Sequence, residues 1–549
     1  MQTVSEKWKN AHKQTLLNES FVELSLDIAD PDALADASAY DNGSAYISDS
    51  SELTNEVDKN PIPYCTLEQN LWLLDGSRKA IPESNEDNDG YVGDVLSNEV
   101  CVFKDKLPTI TVNFSKVFTN LIPGVTITWS TTYDEFADNF VVRAYRGNTI
   151  VAEKEVMGNR SVKSLVMVDI VNYDRIEVQV KKWCLPYRRA RVEKIFIGMN
   201  KVYSKSDIFD YTHTQSVDPV STSLPKTEIK FSVDNVDGEY NPCNDKGLAK
   251  YLMERQEIKV RYGLKIDDKT IEWIKGGTFY LSEWYAKQNG LTADFTARDL
   301  LEFMSDIYEE DHDLSTRTLY DLAALVLNAA NLPLNNDGTV KWVLDESLKT
   351  RITSAPLPKD TLANCLQLIA NAGRCVIYQD RDGILHIEPL KFDDTDYEIN
   401  SFNSYSKSEI TLGKPIRRVA VNIYQYWQEI TDKGRVIHSE ILGAAASNPG
   451  TVGETIKIDN PLITNWFYNT EDENITIWDN AAEVGAWVHE HLGHRMTLDS
   501  SWRADVRLDA LDIVTNKNNY NNSNNRMRIT EVEFRYNGAF RGTSKGKVI

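Results

Sequence analysis

What this sequence has little of narrows it before any motif is read. Six cysteines stand among 549 residues, at Cys65, Cys101, Cys184, Cys243, Cys365 and Cys375, and none forms a Cys-x-x-Cys pair. Disulfide scaffolds and zinc ribbons need denser, closely spaced cysteines, so buried thiols made in a reducing cytosol are expected. No apolar run approaches the ~18–20 residues of a membrane-spanning helix. The N-terminus, MQTVSEKWKNAHKQTLLNESF, has no apolar stretch of the kind a secretory signal carries. Positive charge is short as well: 60 Lys and Arg against 82 Asp and Glu leave a formal charge of −22. Such a polyanion is poorly suited to wrapping nucleic acid, where cations must displace counterions, or to coating an anionic membrane. Also missing are a GxSxG elbow, a P-loop and a GxGxxG turn.

What is present is enough for real cores, with 41% hydrophobic and 10% aromatic residues, and a length that implies roughly three or four domains. Val4, Trp8, Ala11 and Leu16 follow helical spacing behind Ser5, a suitable N-cap. FVELSLDI then alternates as a half-buried strand does, with Pro31 as its stop, and residues 36–60 read as loop or weak strands. Between 104 and 199, ITVNFS, TITWST, FVVRAYRG, TIVAEKEV, SLVMVDI, RIEVQVKKW and RVEKIFIGM are β-patterned runs separated by turns, the signature of an antiparallel sandwich. Strand patterns continue to about residue 300. The period then changes: 319–330 reads as a helix ended by Pro333, and 361–372 as another stopped by Gly373. RCVIYQDRDGILHIEPL is a hairpin around Asp380–Gly383. Strands resume at 416–430 and 434–441, a last helix covers 481–492, and NKNNYNNSNN reads as an exposed hairpin loop.

The chemistry-bearing motifs are weak. His489, His491 and His494 fail the His-Glu-x-x-His spacing, because Gly493 stands four residues after His489. Asn85, Asp87, Asp89 and Gly90 imitate the start of a calcium loop, but Leu96 occupies the position of its closing glutamate. Asp234–Gly238 reads as a hairpin turn. No catalytic residue, metal or cofactor is assigned. The densest local chemistry is Trp183-Cys184-Leu185-Pro186-Tyr187-Arg188-Arg189-Ala190-Arg191. Aromatic faces stack on sugars and guanidinium groups bridge hydroxyls or carboxylates, so Trp129, Trp183, Tyr187, Arg188, Arg189 and Arg191 form a possible glycan or partner surface. The competing reading places the tryptophans in a core and pairs the arginines with the chain's own carboxylates.

LPKTEIKFSVDNVDGEYNP (225–242), YLMERQEIKVRYG (251–263) and GGTFYLSEWYAKQNGLTADFTARDLLEF (276–303) together resemble tail-tip or baseplate-hub proteins of phages and prophages of Gram-positive bacteria. NAGRCVIYQDRDGILHIEPL, the ending YNGAFRGTSKG and LEQNLWLLDGSR (67–78) are similar to that family too. Residues 101–205 resemble a galactose-binding-type jelly-roll, a carbohydrate-binding-like domain that some hubs carry as an insertion. The resemblance implies a mostly β fold with small α elements: β-barrel-like hub domains plus an inserted antiparallel β-sandwich. Its division would be an N-terminal hub segment at 1–100, the jelly-roll at 101–205, a β-rich hub domain at 206–310, a helical subdomain at 311–375 and a second β-rich domain at 376–549. It further implies a non-catalytic virion protein at the tail tip, made in the host cytoplasm, that closes the tail tube as a homotrimer. Implied partners are a distal tail or tail-tube protein, the tape-measure protein, a receptor-binding fibre, a cell-surface glycan, and DNA only in passage. The chain stops at Ile549, soon after the hub-like ending, so a fused lytic extension is not expected. The alternatives are a stand-alone glycan-binding adhesin or a cell-wall polysaccharide hydrolase with an acidic dyad within 206–549.

Overall fold

The structure is a computed structural model that describes residues 1–14, 18–48, 53–54, 65–66, 68, 71–72, 90–267, 270–287, 290–309, 311, 313–335, 339–431, 434–447, 452–464, 466–468, 475–477, 480–518 and 523–549. The period of two in FVELSLDI has its expected effect: in the strand Ser20–Ile28, Val22, Leu24, Leu26 and Ile28 are all buried. This strand lies second in a thirteen-stranded sheet, here termed the frame. From Met199–Tyr203 the frame passes through Ser20–Ile28, Glu257–Lys265, Ile271–Ala286, Thr292–Arg298, Lys226–Asp234 and Ile208–Ser216. It continues through Ser523–Tyr536, Phe540–Val548 and Met496–Trp502 to Glu409–Leu412, and the remaining two strands branch from it, Ile513–Asn518 on Ser523–Tyr536 and Asp394–Ile399 on Ile513–Asn518. One core draws on side chains from both halves of that order, from Leu24 and Ile258 to Trp502 and Phe540. The sheet therefore wraps a single interior. Its end strands, Met199–Tyr203 and Glu409–Leu412, do not pair with each other, so no barrel closes among the described residues. The helix Glu6–His12 packs Trp8 and Ala11 onto this core, and Ser5 Oγ caps it by accepting from Trp8 N at 3.2 Å.

A sandwich is inserted between two neighbouring strands of the frame. Ile28 and Met199 face each other across the ladder, so the chain leaves and rejoins the frame at one point. A five-stranded sheet runs Ser38–Asp41, Thr109–Phe118, Tyr173–Trp183, Ala137–Arg146, Thr149–Met157, and two three-stranded sheets complete the unit. All seven β-patterned runs overlap strands of this region, although TITWST runs past the end of Ile122–Thr128 and RVEKIFIGM divides between Arg189–Val192 and Lys194–Phe196 before entering the frame at Met199. Its core also recruits Ala33, Ala39, Leu53 and Tyr91, so the unit takes in elements that the sequence division placed before 101. Gly124, at φ +134°, lies where a Cβ would meet Val166 O at 2.0 Å, so only glycine lets Ile122–Thr128 pair with Lys163–Ile170 there.

The third core forms a lobe of helices and short sheets. Leu319–Ala329 and Leu362–Ala372 start at the side chains of Thr318 and Thr361, which accept from Asp321 N and Asn364 N. Asn480–Leu492 joins them through Ala481, Val484 and Val488. The expected hairpin forms as Val376–Gln379 and Leu385–Glu388, its turn held by Asp380 Oδ1, which accepts from Asp382 N and Ile384 N at 2.9 Å, with Gly383 at φ +79°. Because this core combines Leu322 and Leu366 with Val419, Val421 and Ile458, the lobe runs across residue 375.

Candidate functional site

The aromatic–arginine cluster folds inward. Trp129 and Trp183 have 0% exposure, meet edge to face at 6.0 Å, and donate their indole N–H groups to Ser164 Oγ at 2.7 Å and Glu135 Oε2 at 2.8 Å. Glu135 Oε1 accepts from Arg188 Nε at 2.9 Å. Arg191, 1% exposed, grips both carboxylate oxygens of Glu68, with Nη1 at 2.9 Å from Oε1 and Nη2 on Oε2. Burial pushes the Glu68 carboxyl up, but Arg191, the Arg189 N–H and Thr66 outweigh it and hold it below the usual carboxylate range. Arg189 spends its Nη1 on the carbonyls of Gly93 and Asp94 and stacks 4.3 Å over Tyr46. Only Tyr187, at φ +55°, keeps a large exposed face. A sugar-stacking surface on Trp129 and Trp183 is thereby corrected: both rings are core, and Arg188 and Arg191 are buried partners of carboxylates. Glu68 and Glu135, the residues that decide this, carried no local signal; Glu68 lies 123 positions from Arg191.

The other motifs also resolve. Asp234 Oδ1 accepts from Val236 N at 3.1 Å and Gly238 sits at φ +66°, as a turn requires. Asn85, Asp87 and Asp89 lie outside the described residues. His491 is buried against Phe392 and Trp487, while His489 and His494 assemble with no further ligands; among the described residues no group of three or more His, Cys, Asp or Glu could hold a metal ion. No described helix is long and apolar enough to cross a membrane.

The surface most suited to a partner is a β-ribbon on the lobe. Ile416–Thr431 pairs along its length with Gly434–Ser447, and its first half is anchored by the buried Val419 and Val421. Further out, all of 427–431 is exposed on both faces, a stretch of about 17 Å at the rise of an antiparallel strand. Trp427 stacks on His438 at 5.5 Å, and Ile430, Val436, Ile441 and Leu442 remain open to solvent. The outer edge of Gly434–Ser447 bonds no strand among the described residues. A second open edge closes the frame at Glu409–Leu412, where Ile410 and Leu412 are exposed. Long unpaired edges with apolar side chains are templates for another chain. The alternation in VNIYQYWQEI marked a strand, but nothing in it showed that the strand outgrows its core.

No family model and no curated protein matches the chain. Among solved structures it is similar to a tail protein from Neisseria meningitidis, at 11% identity and TM-score 0.39, over 64% of this chain and 94% of that one. It is likewise similar to a 43 kDa prophage tail protein from Shewanella oneidensis, at 12% identity and TM-score 0.39, over 63% and 95%. A prophage tail protein from Listeria monocytogenes matches at 10% identity and TM-score 0.37, over 64% and 91%.

Proposed function

We propose that the chain is a structural, non-catalytic component of a phage-type tail tip or baseplate, a hub that closes the end of a tail tube and anchors receptor-binding parts. One observation carries the reading. The three segments that resemble hub proteins fold as neighbours, because Glu257–Lys265, Ile271–Ala286, Thr292–Arg298 and Lys226–Asp234 are consecutive in the frame. A resemblance spread along 225–303 thus converges on one four-stranded patch. The ribbon and the Glu409–Leu412 edge supply surface for self-association, and threefold closure would keep such edges from growing into open fibres. On this reading the protein resides at the virion tail tip as a homotrimer, beside tail-tube, tape-measure and fibre proteins, with DNA passing through an acidic lumen. Negative-stain class averages, with sedimentation analysis over a concentration series, test it. Threefold rings of trimer mass are expected; single compact particles at every concentration would overturn the hub assignment.

A further inference from the structure

Frame, sandwich and lobe meet around a cavity of about 630 Å³, within the ~300–1,000 Å³ range of small-ligand pockets. Its floor is polar and buried. The ladder between Ser20–Ile28 and Glu257–Lys265 runs as far as the Leu26–Ile258 pair, and the next residues, Asp27 and Glu257, lie close enough for the Asp27 charge to act on Glu257. Burial pushes both carboxyls up; the Asn200 hydrogen bond opposes this at Asp27 and Lys341 opposes it at Glu257, where the Asp27 charge adds to the rise. Lys341, 8% exposed, lies with Nζ 3.3 Å from Glu257 Oε2 and 3.1 Å from the Tyr280 hydroxyl. Beside them Gln256, 1% exposed, donates Nε2 to the Ala29 and Tyr251 carbonyls, while its Oε1 accepts no hydrogen bond. Arg255 stacks 4.8 Å from the Phe303 ring, and Trp342 and the exposed Asn328 also line the cavity.

The charges nearly cancel. Asp27, Asp32 and Glu257 face Arg255 and Lys341, and Lys259 pairs with Glu257 Oε1 at 2.9 Å. A strong anion or cation gains little in such a site. A neutral ligand with many hydroxyls gains from donors and acceptors set side by side, and its apolar ring faces can lie on aromatic walls. We propose that this cavity binds a neutral oligosaccharide, with hydroxyls directed to Glu257, Lys341 and Asn328 and a sugar face toward the half-buried Trp342. The site is independent of the tail-tip reading and distinct from the aromatic–arginine cluster.

A glycan array probed with the full chain, followed by saturation-transfer NMR and calorimetry with chitotriose, maltotriose and galactotriose, tests the proposal. A trimer of glucosamine and one of galacturonic acid serve as cationic and anionic controls. Binding of at least one neutral glycan is expected, with the charged trimers about tenfold weaker or worse. Asn328→Ala, at an exposed position, should leave the thermal transition in place and weaken binding about fivefold, and Lys341→Met about tenfold, the scale of one lost hydrogen bond. Absence of any neutral glycan binding, charged sugars binding as tightly as neutral ones, or unchanged affinity in Asn328→Ala would each overturn it.

Discussion

Lowering the pH should destabilise the frame through one histidine. His213 is 1% exposed, packs edge-on to Phe279 at 5.3 Å, and places Nδ1 2.8 Å from the Tyr262 hydroxyl, which lies 2.7 Å from that of Tyr211. Its Nε2 has no partner. Burial first, and the Arg381 guanidinium second, lower its pKa from the ordinary 6.5 to about 3. The unfolded chain takes up a proton below pH 6.5, whereas the folded chain does not until about pH 3. The neutral-histidine contribution is therefore complete above pH 6.5 and falls away as pH drops towards 3. At pH 4 the gap is roughly 2.5 pH units, or about 3 kcal/mol at ~1.4 kcal/mol per unit. His213→Asn keeps a polar atom near the Tyr262 hydroxyl and removes the titration, at the cost of a small, pH-independent cavity. Urea unfolding of both proteins at pH 7 and pH 4 isolates the term, because depressed carboxylates such as Asp505 and Glu68 act alike in each. The parent should lose about 3 kcal/mol more than the variant over this interval. Parallel losses would refute the reasoning.

Glu68→Gln should destabilise the sandwich by about 3 kcal/mol, since it removes the carboxylate that grips the buried Arg191 guanidinium and leaves only the more distant Glu135, at 4.0 Å; denaturant unfolding followed by tryptophan fluorescence reads it. Gly124→Ala should cost at least about 2 kcal/mol, because a Cβ at φ +134° would sit 2.0 Å from Val166 O, and a lowered melting temperature checks this. Replacing residues 30–197 with a short Gly-Ser linker should leave one cooperative thermal transition, because Ile28 and Met199 are already ladder partners. Deletion of 101–205 alone should instead strand Ala33, Ala39 and Tyr91 without their core and promote aggregation. Ile430→Asp should change monomer stability by less than about 0.5 kcal/mol, given its 81% exposure, yet reduce self-association in sedimentation experiments.

Much of the secondary structure was legible because its causes are local. Ser5, Thr318 and Thr361 cap helices with their own side chains, Asp380 and Gly383 make a turn within five residues, and alternation along Ser20–Ile28 decides which side chains face inward. The expected hairpin loop at NKNNYNNSNN corresponds to the pairing of Ile513–Asn518 with Ser523–Tyr536, although its tip lies outside the described residues.

Periodicity shows that a residue faces a core but not which core, and charge shows that a partner is needed but not which partner. The sequence leaves Trp129 and Trp183 readable either as binding aromatics or as core, and they are interior. It leaves Arg191 readable either as a surface cation or as a partner of the chain's own carboxylates, and it is held by Glu68, 123 positions away. Asp27 and Glu257 come within electrostatic reach only because their strands, from distant parts of the chain, pair in the frame. The insertion begins at Ile28 rather than at a composition change, because its limits are set by which strands pair across the frame. Backbone preference and turn chemistry act over a few residues and are written in order along the sequence. Strand register and burial arise from contacts made across hundreds of residues, and these only the tertiary structure decided.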